Sequence, residues 1–426
     1  MKILVVGGGG REHAIIRKLK ENPEVTQIVA LPGNAGIAMD AECVNIKATD
    51  IDGIVDYVAQ NPVDFAVVAP DDPLALGCVD RLHALGVPCF GPDAKAARIE
   101  ASKVFAKELM KKYRIPTARY EVFDDADKAL DYVKNCPLPT VVKADGLALG
   151  KGVVIAMTRE DAEDAVKAAM IDGAFGASGS RIVIEEFLEG PEVSVLAFTD
   201  GHVVKPMVSS MDHKRVGDGD IGLNTGGMGT IAPNPCYTPD VAKHCMEEIF
   251  LPTIAAMNAE GCPFKGCLYF GLMVTKDGPK VIEYNCRFGD PETQVVLPLL
   301  KSDLLTIMRA VESETLADTP VECSDGAACC VMLASGGYPG KYEKGKAIDM
   351  GNADNMAQVY HSGTARNASG ALVTAGGRVL GVSCTADTLE RAIEKAYAAA
   401  NEIHWDGMIF RRDIGKRALS ILNKGD

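Results

Sequence analysis

The segment around residue 285 carries side chains whose types and spacing suit metal and phosphate chemistry. Glu283 and Asn285 are two residues apart in a run typical of a strand, so both side chains are expected on one face. A carboxylate beside an amide oxygen suits Mg²⁺, which takes hard oxygen ligands and leaves its other positions to water and phosphate. Arg287 follows on the same face and could clamp a phosphate or a carboxylate through two hydrogen bonds. The alternative is a solvated strand edge, with apolar Val281 beginning that face.

A second candidate is the glycine-rich segment at residues 143–152, Lys-Ala-Asp-Gly-Leu-Ala-Leu-Gly-Lys-Gly. It is not a P-loop, because only three residues separate Gly146 from Gly150, and Gly152 stands where a metal-binding Ser or Thr is required. Two strands joined by a mobile glycine flap could instead close over a triphosphate, with Lys143 supplying a positive charge from the strand end. A plain β-hairpin is the alternative.

The first glycine cluster, at residues 7–13, follows a strand and opens a helix. Backbone amides at a helix N-terminus favour phosphate or another small anion. A dinucleotide site would need glycine at position 12, where this chain has Glu12, and an acidic residue after the second strand, where it has a Leu-Pro-Gly turn. A small anion is therefore the preferred ligand, while a turn without a ligand and a dinucleotide site remain alternatives. His13 is expected to be a helix-start side chain, and contact with a substrate is the alternative.

The polar, glycine-rich segment 212–229 contains His213, Lys214 and Arg215 beside an Asn-Thr-Gly-Gly-Met-Gly run. We predict a long loop there without structure of its own, and three basic side chains next to a glycine-rich turn suit anion recognition. A mobile surface loop is the alternative.

Residues 184–189 form the end of another predicted strand and contain several glutamates. This pattern indicates either a solvated strand end or a linker whose backbone contacts adenine.

The elements that must position these groups follow from the order of the apolar runs. In the first hundred residues, short apolar runs alternate with helical patterns, which predicts a parallel sheet covered on both faces. We expect one charged helix over 95–114, then a small α+β unit, a strand-rich region over 193–283 and a separate antiparallel module from residue 327. The predicted fold class is therefore α/β and α+β, in several domains.

Composition restricts the function classes. The chain has 426 residues, a length that indicates about three domains. Its net charge of −14 argues against a nucleic-acid-binding protein, although a local basic site can still bind anionic substrates. No run approaches the roughly 18 apolar residues of a membrane span, and the N-terminus lacks a signal-peptide core. We therefore expect a cytoplasmic protein without membrane or nucleic-acid partners. Its 13 cysteines are expected to be reduced thiols. Cys329, Cys330 and the single tryptophan, Trp405, are expected in the core.

Six motifs, taken together and in this order, resemble the phosphoribosylamine–glycine ligase (glycinamide ribonucleotide synthetase) family of ATP-grasp enzymes in purine biosynthesis. They lie at residues 7–13, 32–36, 143–152, 212–215, 224–229 and 283–294, and the resemblance extends over essentially the whole chain. It implies a pre-ATP-grasp αβ domain over 1–101, an ATP-grasp domain over 102–325 with a flap at about 115–188, and a small, mainly antiparallel C-terminal α+β domain over 326–426.

The resemblance also implies a reaction. ATP and glycine would give a glycyl phosphate, and the amine of 5-phosphoribosylamine would attack its carbonyl. The products would be glycinamide ribonucleotide, ADP and phosphate. The small-molecule partners are thus ATP, glycine and 5-phosphoribosylamine, and a monomer or weak homodimer is expected.

Residue roles are implied in four groups. The metal, Mg²⁺ or Mn²⁺, would bind Glu283 and Asn285. ATP would contact Lys103, Lys143, Gly146, Gly150, Gly152, Glu185, Glu186, Phe187, Leu188 and Glu192. The catalytic residues that orient glycine and the transferring phosphoryl group would be Arg287, Asp212, Lys214 and Arg215. The substrate pocket would include Gly8, Gly9, Gly10, Arg11, Asn34, Gly36, Asp71, Asn224, Thr225, Gly226, Gly227, Asp290, Glu292 and Thr293.

Three features depart from the family pattern. Asp71 stands where glutamate is usual, Leu223 stands where proline is usual, and segment 267–274 has no further acid for a metal. Other functions weighed against the resemblance are another ATP-grasp ligase or carboxylase acting on a related ribonucleotide, a dinucleotide-dependent oxidoreductase, and a nucleotide-binding regulator without catalysis.

Overall fold

The computed structural model describes residues 1–147 and 152–423. The strands are Lys2–Gly7, Gln27–Pro32, Glu42–Cys43, Phe65–Val68, Cys89–Phe90, Tyr120–Phe123, Thr140–Ala144, Val153–Ala156, Ile182–Glu186, Glu192–Thr199, Val204–Pro206, Met211–Asp212, Arg215–Gly217, Ile221–Asn224, Gly229–Ala232, Gly266–Thr275, Gly278–Asn285, Ala327–Ser335, Gln358–His361, Thr364–Arg366, Leu372–Thr374, Arg378–Ala386 and Met408–Ile409. The α-helices are Gly10–Leu19, Ile51–Gln60, Asp71–Ala75, Cys78–Ala84, Ala94–Ala101, Lys103–Tyr113, Ala126–Asn135, Arg159–Met170, Pro239–Cys245, Leu251–Ala259, Thr293–Leu299, Leu304–Glu312, Ala353–Met356, Leu389–Ala400 and Lys416–Leu422. Shorter helical turns are Ile37–Met39, Gly176–Ser180, Met246–Phe250 and Leu316–Asp318.

The first hundred residues form a five-stranded parallel sheet. From edge to edge its strands are Glu42–Cys43, Gln27–Pro32, Lys2–Gly7, Phe65–Val68 and Cys89–Phe90. Neighbouring residues of the central strand enter different hydrophobic clusters, with Leu4 and Val6 in one and Ile3 and Val5 in the other. Both faces of the sheet are therefore buried, and the predicted parallel αβ unit is confirmed.

The prediction of one helix over 95–114 is wrong, because the chain forms two helices with a break at Ser102. The backbone of Ser102 is extended, and its Oγ accepts a hydrogen bond from the amide of Phe105, which caps the second helix. Asp145 adds a second cap, since its Oδ1 accepts from the amide of Val104 at 3.1 Å. The break places Lys103 at the start of a new helix, next to the glycine-rich segment.

The flap is a four-stranded antiparallel sheet with its own core. Its strands, in spatial order, are Tyr120–Phe123, Ile182–Glu186, Thr140–Ala144 and Val153–Ala156. The helices Ala126–Asn135 and Arg159–Met170 cover it, and side chains such as Val133, Val142 and Val166 form a hydrophobic cluster separate from the others. The glycine-rich segment joins two neighbouring strands of this sheet, as predicted.

The central sheet is also antiparallel. Its order is Val204–Pro206, Glu192–Thr199, Gly266–Thr275 and Gly278–Asn285. It presents the last strand, which carries Glu283 and Asn285, at an edge next to the flap.

The antiparallel C-terminal sheet does not consist of the tail alone. Its core strands Ala327–Ser335 and Arg378–Ala386 form eight antiparallel residue pairs, and Gly229–Ala232 and Met211–Asp212 extend the sheet from the middle of the chain. Between these two short strands, Arg215–Gly217 and Ile221–Asn224 form a hairpin. The prediction of an irregular loop over 212–229 is therefore wrong, because its two ends pair with each other and the Gly229 end also pairs with the distant strand Ala327–Ser335.

No helix in the described part of the chain is long and apolar enough to cross a membrane. All 13 cysteines, each of which lies in a described segment, are free thiols. Cys329, Cys330 and Trp405 are buried, as predicted.

Candidate active site

A cavity of about 620 Å³ opens between the flap, the central sheet and the 212–229 segment. Its wall includes most of the side chains that the sequence singled out. These are Arg11, Asp71, Lys103, Lys143, Gly146, Gly152, Glu185, Glu186, Phe187, Leu188, Glu192, Asp212, Lys214, Arg215, Asn224, Thr225, Gly226, Glu283, Asn285, Arg287, Asp290 and Glu292. The candidates Gly8, Gly9, Gly10, Asn34, Gly36, Gly227 and Thr293 lie outside this wall, and Gly150 lies outside the described residues.

Glu283 and Asn285 face the cavity from the last strand of the central sheet. The pairing of this strand with its neighbour shifts register between Val281 and Glu283, so Val281 packs in the core beside Tyr284. The prediction that Val281 shares the polar face is therefore wrong, because the bulge breaks the strand alternation. Gly271 lies opposite Glu283, and a Cβ on it would come within 2.9 Å of Glu283 Cγ, so the glycine leaves room for the carboxylate.

Arg287 is held in place by Glu100, a residue that the sequence analysis missed. Its Nη2 donates to Glu100 Oε1 at 2.9 Å and to Asn285 Oδ1 at 3.1 Å. The other carboxylate oxygen of Glu100 accepts from the amide of Cys286 at 2.7 Å. The Nε of Arg287 is buried and has no partner among the described residues, so one donor of this fixed guanidinium is free for a ligand.

Lys214 connects the basic segment to the candidate metal strand. Its Nζ forms an ion pair with Glu192 and lies 3.5 Å from Glu283 Oε1. Burial opposes the ammonium charge, but the charges of Glu192 and Glu283 raise the pKa of Lys214 well above its ordinary value. Burial would also raise the pKa of Glu283, but the charges of Lys214 and Lys143 lower it. Glu283 is therefore ionised at neutral pH.

Two lysines share one buried carboxylate on the flap side of the cavity. Lys143 Nζ lies 3.0 Å from Glu185 Oε1, and Lys107 Nζ lies 3.0 Å from Glu185 Oε2. All three side chains are buried, and burial lowers the pKa of Lys107 to about 8. The sequence analysis missed Lys107, although it follows Lys103 by four residues, a spacing that places both side chains on one helix face.

Lys103 reaches the beginning of the glycine-rich segment. Its Nζ donates to the carbonyl of Gly146 at 2.7 Å. Burial lowers the pKa of Lys103, while the charge of Glu283 opposes that shift. The lysine therefore links the helix start to the flap while facing the cavity.

Asp212 and Glu292 form an acidic part of the wall. The Tyr269 hydroxyl donates to Glu292 Oε1 at 3.2 Å, and the amide of His213 donates to Asp212 Oδ1 at 2.7 Å. Burial and the charge of Glu292 raise the pKa of Asp212 well above its ordinary value, and burial raises the pKa of Glu292 as well. Both carboxyls therefore hold a proton more readily than an ordinary aspartate or glutamate.

The prediction of three anion-binding cations at 213–215 is wrong for His213. Its Nε2 accepts from the amide of Gly415 at 3.1 Å, so Nδ1 carries the proton and donates to the carbonyl of Gly229 at 3.1 Å. Burial lowers the pKa of His213 to about 4, and the charge of Arg411 adds to this shift. The imidazole is therefore neutral, because both of its nitrogens serve the backbone.

The first glycine turn supplies its own anion. Glu12 Oε2 accepts from the amide of Gly9 at 2.6 Å, and Glu12 Oε1 accepts from Arg11 Nε at 2.6 Å. The carboxylate thus occupies an amide that the sequence analysis assigned to a phosphate or another small anion. Arg11 still reaches the cavity wall, where its Nη1 donates to the carbonyl of Phe288 at 3.1 Å.

His13 and Asn34 bind the C-terminal part of the chain. His13 is fully buried, and its Nδ1 accepts from the amide of His361 at 2.9 Å. Asn34 Nδ2 donates to the carbonyls of His361 and Ser362 at 2.8 and 3.1 Å. In this structure, both side chains fasten the N-terminal unit to the C-terminal sheet.

Asp290 is engaged by two side chains. Arg378 Nη2 donates to its Oδ2 at 2.8 Å, and Gln294 Nε2 donates to its Oδ1 at 2.6 Å. Arg378 begins a strand of the C-terminal sheet and lines the cavity. No local pattern marks it, since it lies 88 residues from its partner. Other wall residues that the sequence analysis missed include Tyr269, Met273 and Arg417.

The chemistry of Glu283 and Asn285 fits a divalent cation that also binds phosphate. Their carboxylate and amide oxygens are hard ligands. Residues 1–147 and 152–423 contain no group of three or more His, Cys, Asp or Glu side chains that could hold a metal ion by itself. A cation on this pair would therefore complete its coordination with water and with phosphate oxygens, as Mg²⁺ commonly does.

Comparison with known families gives three consecutive matches. They are to phosphoribosylglycinamide synthetase, N domain, over residues 1–100, to its ATP-grasp (A) domain over 101–293, and to its C domain over 328–417.

Individual relatives agree with these matches. The phosphoribosylamine–glycine ligase of Vibrio vulnificus is 47% identical over 99% of both chains. A crystal structure of phosphoribosylamine–glycine ligase from Thermotoga maritima is 35% identical, with a TM-score of 0.86 over 97% of this chain and 100% of that chain. The biotin carboxylase domain of Hydrogenobacter thermophilus 2-oxoglutarate carboxylase, solved with MgADP and bicarbonate, has a TM-score of 0.71 over 96% of this chain and 91% of that chain. At 18% identity, this last likeness shows the fold alone.

Proposed function

Because this chain belongs to the phosphoribosylglycinamide synthetase family, we propose that its cavity joins glycine to 5-phosphoribosylamine while ATP is cleaved to ADP and phosphate. The chain is an ATP-dependent ligase of purine biosynthesis. One observation carries the assignment of the site: a single cavity gathers Lys103, Lys143, Glu283, Asn285 and Arg287. Domain boundaries at 101/102 and 325/326 are part of the same proposal.

The nucleotide is placed between the flap and the central sheet. Lys103 and Lys143 provide positive charge for its phosphates, and the backbone of residues 186–188 lines the adenine end. Glu192 is the acid proposed for the ribose hydroxyls. Its ion pair with Lys214 links that end of the nucleotide to the loop that holds the acceptor substrates.

An ATP-grasp ligase uses a divalent metal with ATP, and we propose Mg²⁺ or Mn²⁺ at Glu283 and Asn285. When bound, the metal would offset the negative charge of the phosphates. Glu283 suits this role because neighbouring cations lower its pKa and keep it ionised. Asn285 Oδ1 is held toward the site by its hydrogen bond from Arg287.

The first step is phosphoryl transfer to glycine. A carboxylate oxygen of glycine attacks the γ-phosphorus of ATP, and the bond from that phosphorus to the β–γ bridging oxygen breaks. Arg287 would hold the glycine carboxylate, because Glu100 fixes its guanidinium and its Nε has no partner among the described residues. Positioning and charge stabilisation account for this step without a covalent enzyme intermediate.

The second step is amide formation. The amine nitrogen of 5-phosphoribosylamine attacks the glycyl carbonyl carbon, the bond from that carbon to the phosphate oxygen breaks, and the nitrogen gives up a proton. The Asp212–Glu292 pair is proposed to receive that proton, since both carboxyls have raised pKa values and line the cavity. The phosphoribosyl group would lie toward Arg11 and Asp71 on the N-terminal side.

The experiment that tests this proposal is ADP release by the purified protein. ATP with Mg²⁺ is supplied with glycine alone, with freshly generated 5-phosphoribosylamine alone, and with both. We expect rapid ADP release only when both are present, together with stoichiometric glycinamide ribonucleotide. Replacing Mg²⁺ by Mn²⁺ tests the metal assignment.

Two outcomes would contradict the proposal. ADP release with a different ribonucleotide acceptor or with bicarbonate would indicate a related ligase or carboxylase. ATP binding without ADP release under any combination would indicate a regulator. Light scattering of the same preparation tests the expected monomer or weak homodimer.

A further inference from the structure

The guanidinium of Arg378 lies where three distant parts of the chain meet. Its Nη2 donates to the Asp290 carboxylate at 2.8 Å, and its Nη1 donates to the Asp290 carbonyl at 2.6 Å. The same Nη1 donates to the carbonyl of Gly226 and lies 3.4 Å from the carbonyl of Gly227. One side chain of the C-terminal sheet therefore bonds both Asp290, which follows the strand of Glu283 and Asn285, and the backbone of Gly226 and Gly227 in the proposed substrate pocket.

The loop needs such an anchor because it has high backbone freedom. Gly226 and Gly227 are consecutive glycines, and Gly227 has a φ of +105°, in the region that favours glycine. The packing crowds any side chain at these positions: a Cβ on Gly226 would lie 3.1 Å from Arg378 Cζ, and one on Gly227 would lie 2.7 Å from Asp212 Oδ1. A second C-terminal residue assists, since the hydroxyl of Tyr338 accepts from the amide of Gly226 at 3.0 Å.

The Arg378 guanidinium donates to groups of the protein itself, namely the Asp290 carboxylate and the backbone carbonyls of Asp290, Gly226 and Gly227. A planar guanidinium can donate hydrogen bonds to a carboxylate and to several carbonyls at once, whereas the ammonium of lysine is a compact point charge. Asp290 is also fixed from its other oxygen by Gln294 at 2.6 Å. Two side chains therefore fix Asp290. The backbone of Gly226 and Gly227 is the more mobile partner of Arg378, and it is the partner that the bonds to Arg378 order.

We propose that Arg378 is a positioning residue of the ligation, which holds the backbone of residues 224–227 in the conformation that receives the acceptor substrates. It acts through Gly226 and Gly227 and not by contact with the reacting atoms. The proposal rests on the function proposed above, in which this loop belongs to the glycine and 5-phosphoribosylamine side of the cavity. In residues 1–147 and 152–423, no hydrogen bond or ion pair joins Arg378 to Lys143 or Glu185 on the ATP side.

The test compares Arg378→Met and Arg378→Lys with the wild-type protein. We expect Arg378→Met to lower kcat/KM for 5-phosphoribosylamine by about ten- to a hundred-fold, the range for losing hydrogen bonds that involve a charged group. Arg378→Lys should recover only part of this loss, because the charge returns without the planar fork. The dissociation constant for ATP, measured by calorimetry, should stay within about two-fold of the wild-type value.

A second readout does not depend on turnover. Amide hydrogen exchange should accelerate at residues 224–229 in both variants and remain unchanged in the flap. The matched control is Arg366→Met, in the same C-terminal region, whose exposed Nη1 donates to the carbonyl of Gly370 within its own hairpin. It should leave both exchange and kinetics unchanged.

Two results would overturn the inference. One is wild-type kcat/KM and wild-type exchange in both Arg378 variants. The other is a parallel loss of ATP affinity, acceptor affinity and melting temperature, which would indicate a general structural role. If Arg378→Met does not fold, Arg378→Lys decides between these results. A wild-type protein without ligase activity would instead contradict the proposed function. The exchange experiment would still test whether Arg378 holds the backbone of residues 224–227.

Discussion

The Nζ atom of Lys214 lies 3.5 Å from Oε1 of Glu283, so this cation of the 212–229 segment lies next to the carboxylate proposed to bind the metal. The same ammonium pairs with Glu192, at the proposed ribose end of the nucleotide. Three elements that are distant in sequence thus share one charge network at the cavity wall. The network keeps Glu283 ionised, which is the form that a metal ion requires.

Replacing Glu283 by Gln is expected to lower kcat by at least about a hundred-fold, because the isosteric amide removes the only carboxylate of the proposed metal pair. ADP release at several Mg²⁺ concentrations measures the effect, and the half-saturating Mg²⁺ concentration should rise. Circular dichroism should show an unchanged fold. The control is Glu394→Gln on an exposed helix face. Wild-type turnover in Glu283→Gln would remove the metal assignment.

Replacing Lys143 by Ala is expected to weaken ATP binding about ten-fold or more, since it removes a buried cation proposed to contact phosphate and leaves Glu185 with Lys107 alone. Calorimetric titration with a non-hydrolysable ATP analogue is the measurement. Lys167→Ala, on the outer helix of the same flap, should bind the analogue like the wild type. An unchanged affinity in Lys143→Ala would contradict the placement of the nucleotide under the flap.

Buried His213 should make the protein less stable in acid. Its pKa is lowered from 6.5 to about 4, so between these values the unfolded chain binds a proton that the folded chain does not. The free energy of unfolding therefore falls as the pH decreases through this window. From about pH 7 to pH 5 the loss due to this group is about 2 kcal/mol.

Denaturant unfolding at both pH values measures this loss. His213→Gln should be less stable than the wild type at neutral pH, yet should lose less stability on acidification. His404→Gln, at an exposed position, should show the wild-type dependence. Equal acid sensitivity of His213→Gln and the wild type would show that this imidazole does not titrate as described.

Arg411 is expected to hold the hairpin that presents Arg215 and Asn224. Its buried guanidinium donates to Asp413 at 2.8 Å, to Asp220 at 2.7 Å and to the carbonyl of Arg215 at 3.1 Å. Arg411→Met should therefore cost about 3 kcal/mol of unfolding free energy, because it leaves these acceptors without their shared donor. It should also raise the KM for the acceptor substrates.

The neighbouring residue gives a matched control for this change. Arg412 is exposed, and its guanidinium lies 4.8 Å from the centre of the Phe410 ring. Arg412→Met should cost less than about 1 kcal/mol. Similar melting temperatures and kinetics for the two variants would contradict the anchoring role of Arg411.

The sequence alone predicted the features that depend on neighbouring residues. Apolar runs punctuated by glycine and proline predicted the parallel N-terminal sheet, because each strand of a covered parallel sheet is buried on both faces. The two-residue spacing of Glu283 and Asn285 placed both side chains at the cavity. The failure of the glycine fingerprint at Glu12 was also visible, and that carboxylate bonds the turn itself.

Tertiary structure decided what depends on partners far along the chain. Ser102 breaks the predicted helix with support from Asp145, and the distant strand Ala327–Ser335 pairs with the Gly229 end of the 212–229 segment. Burial between Gly229 and Gly415 makes His213 neutral. Arg378 reaches the site across 88 residues of chain from Asp290. Local patterns record propensity and alternation, whereas charge state and side-chain partners depend on burial and on distances that only the assembled fold determines.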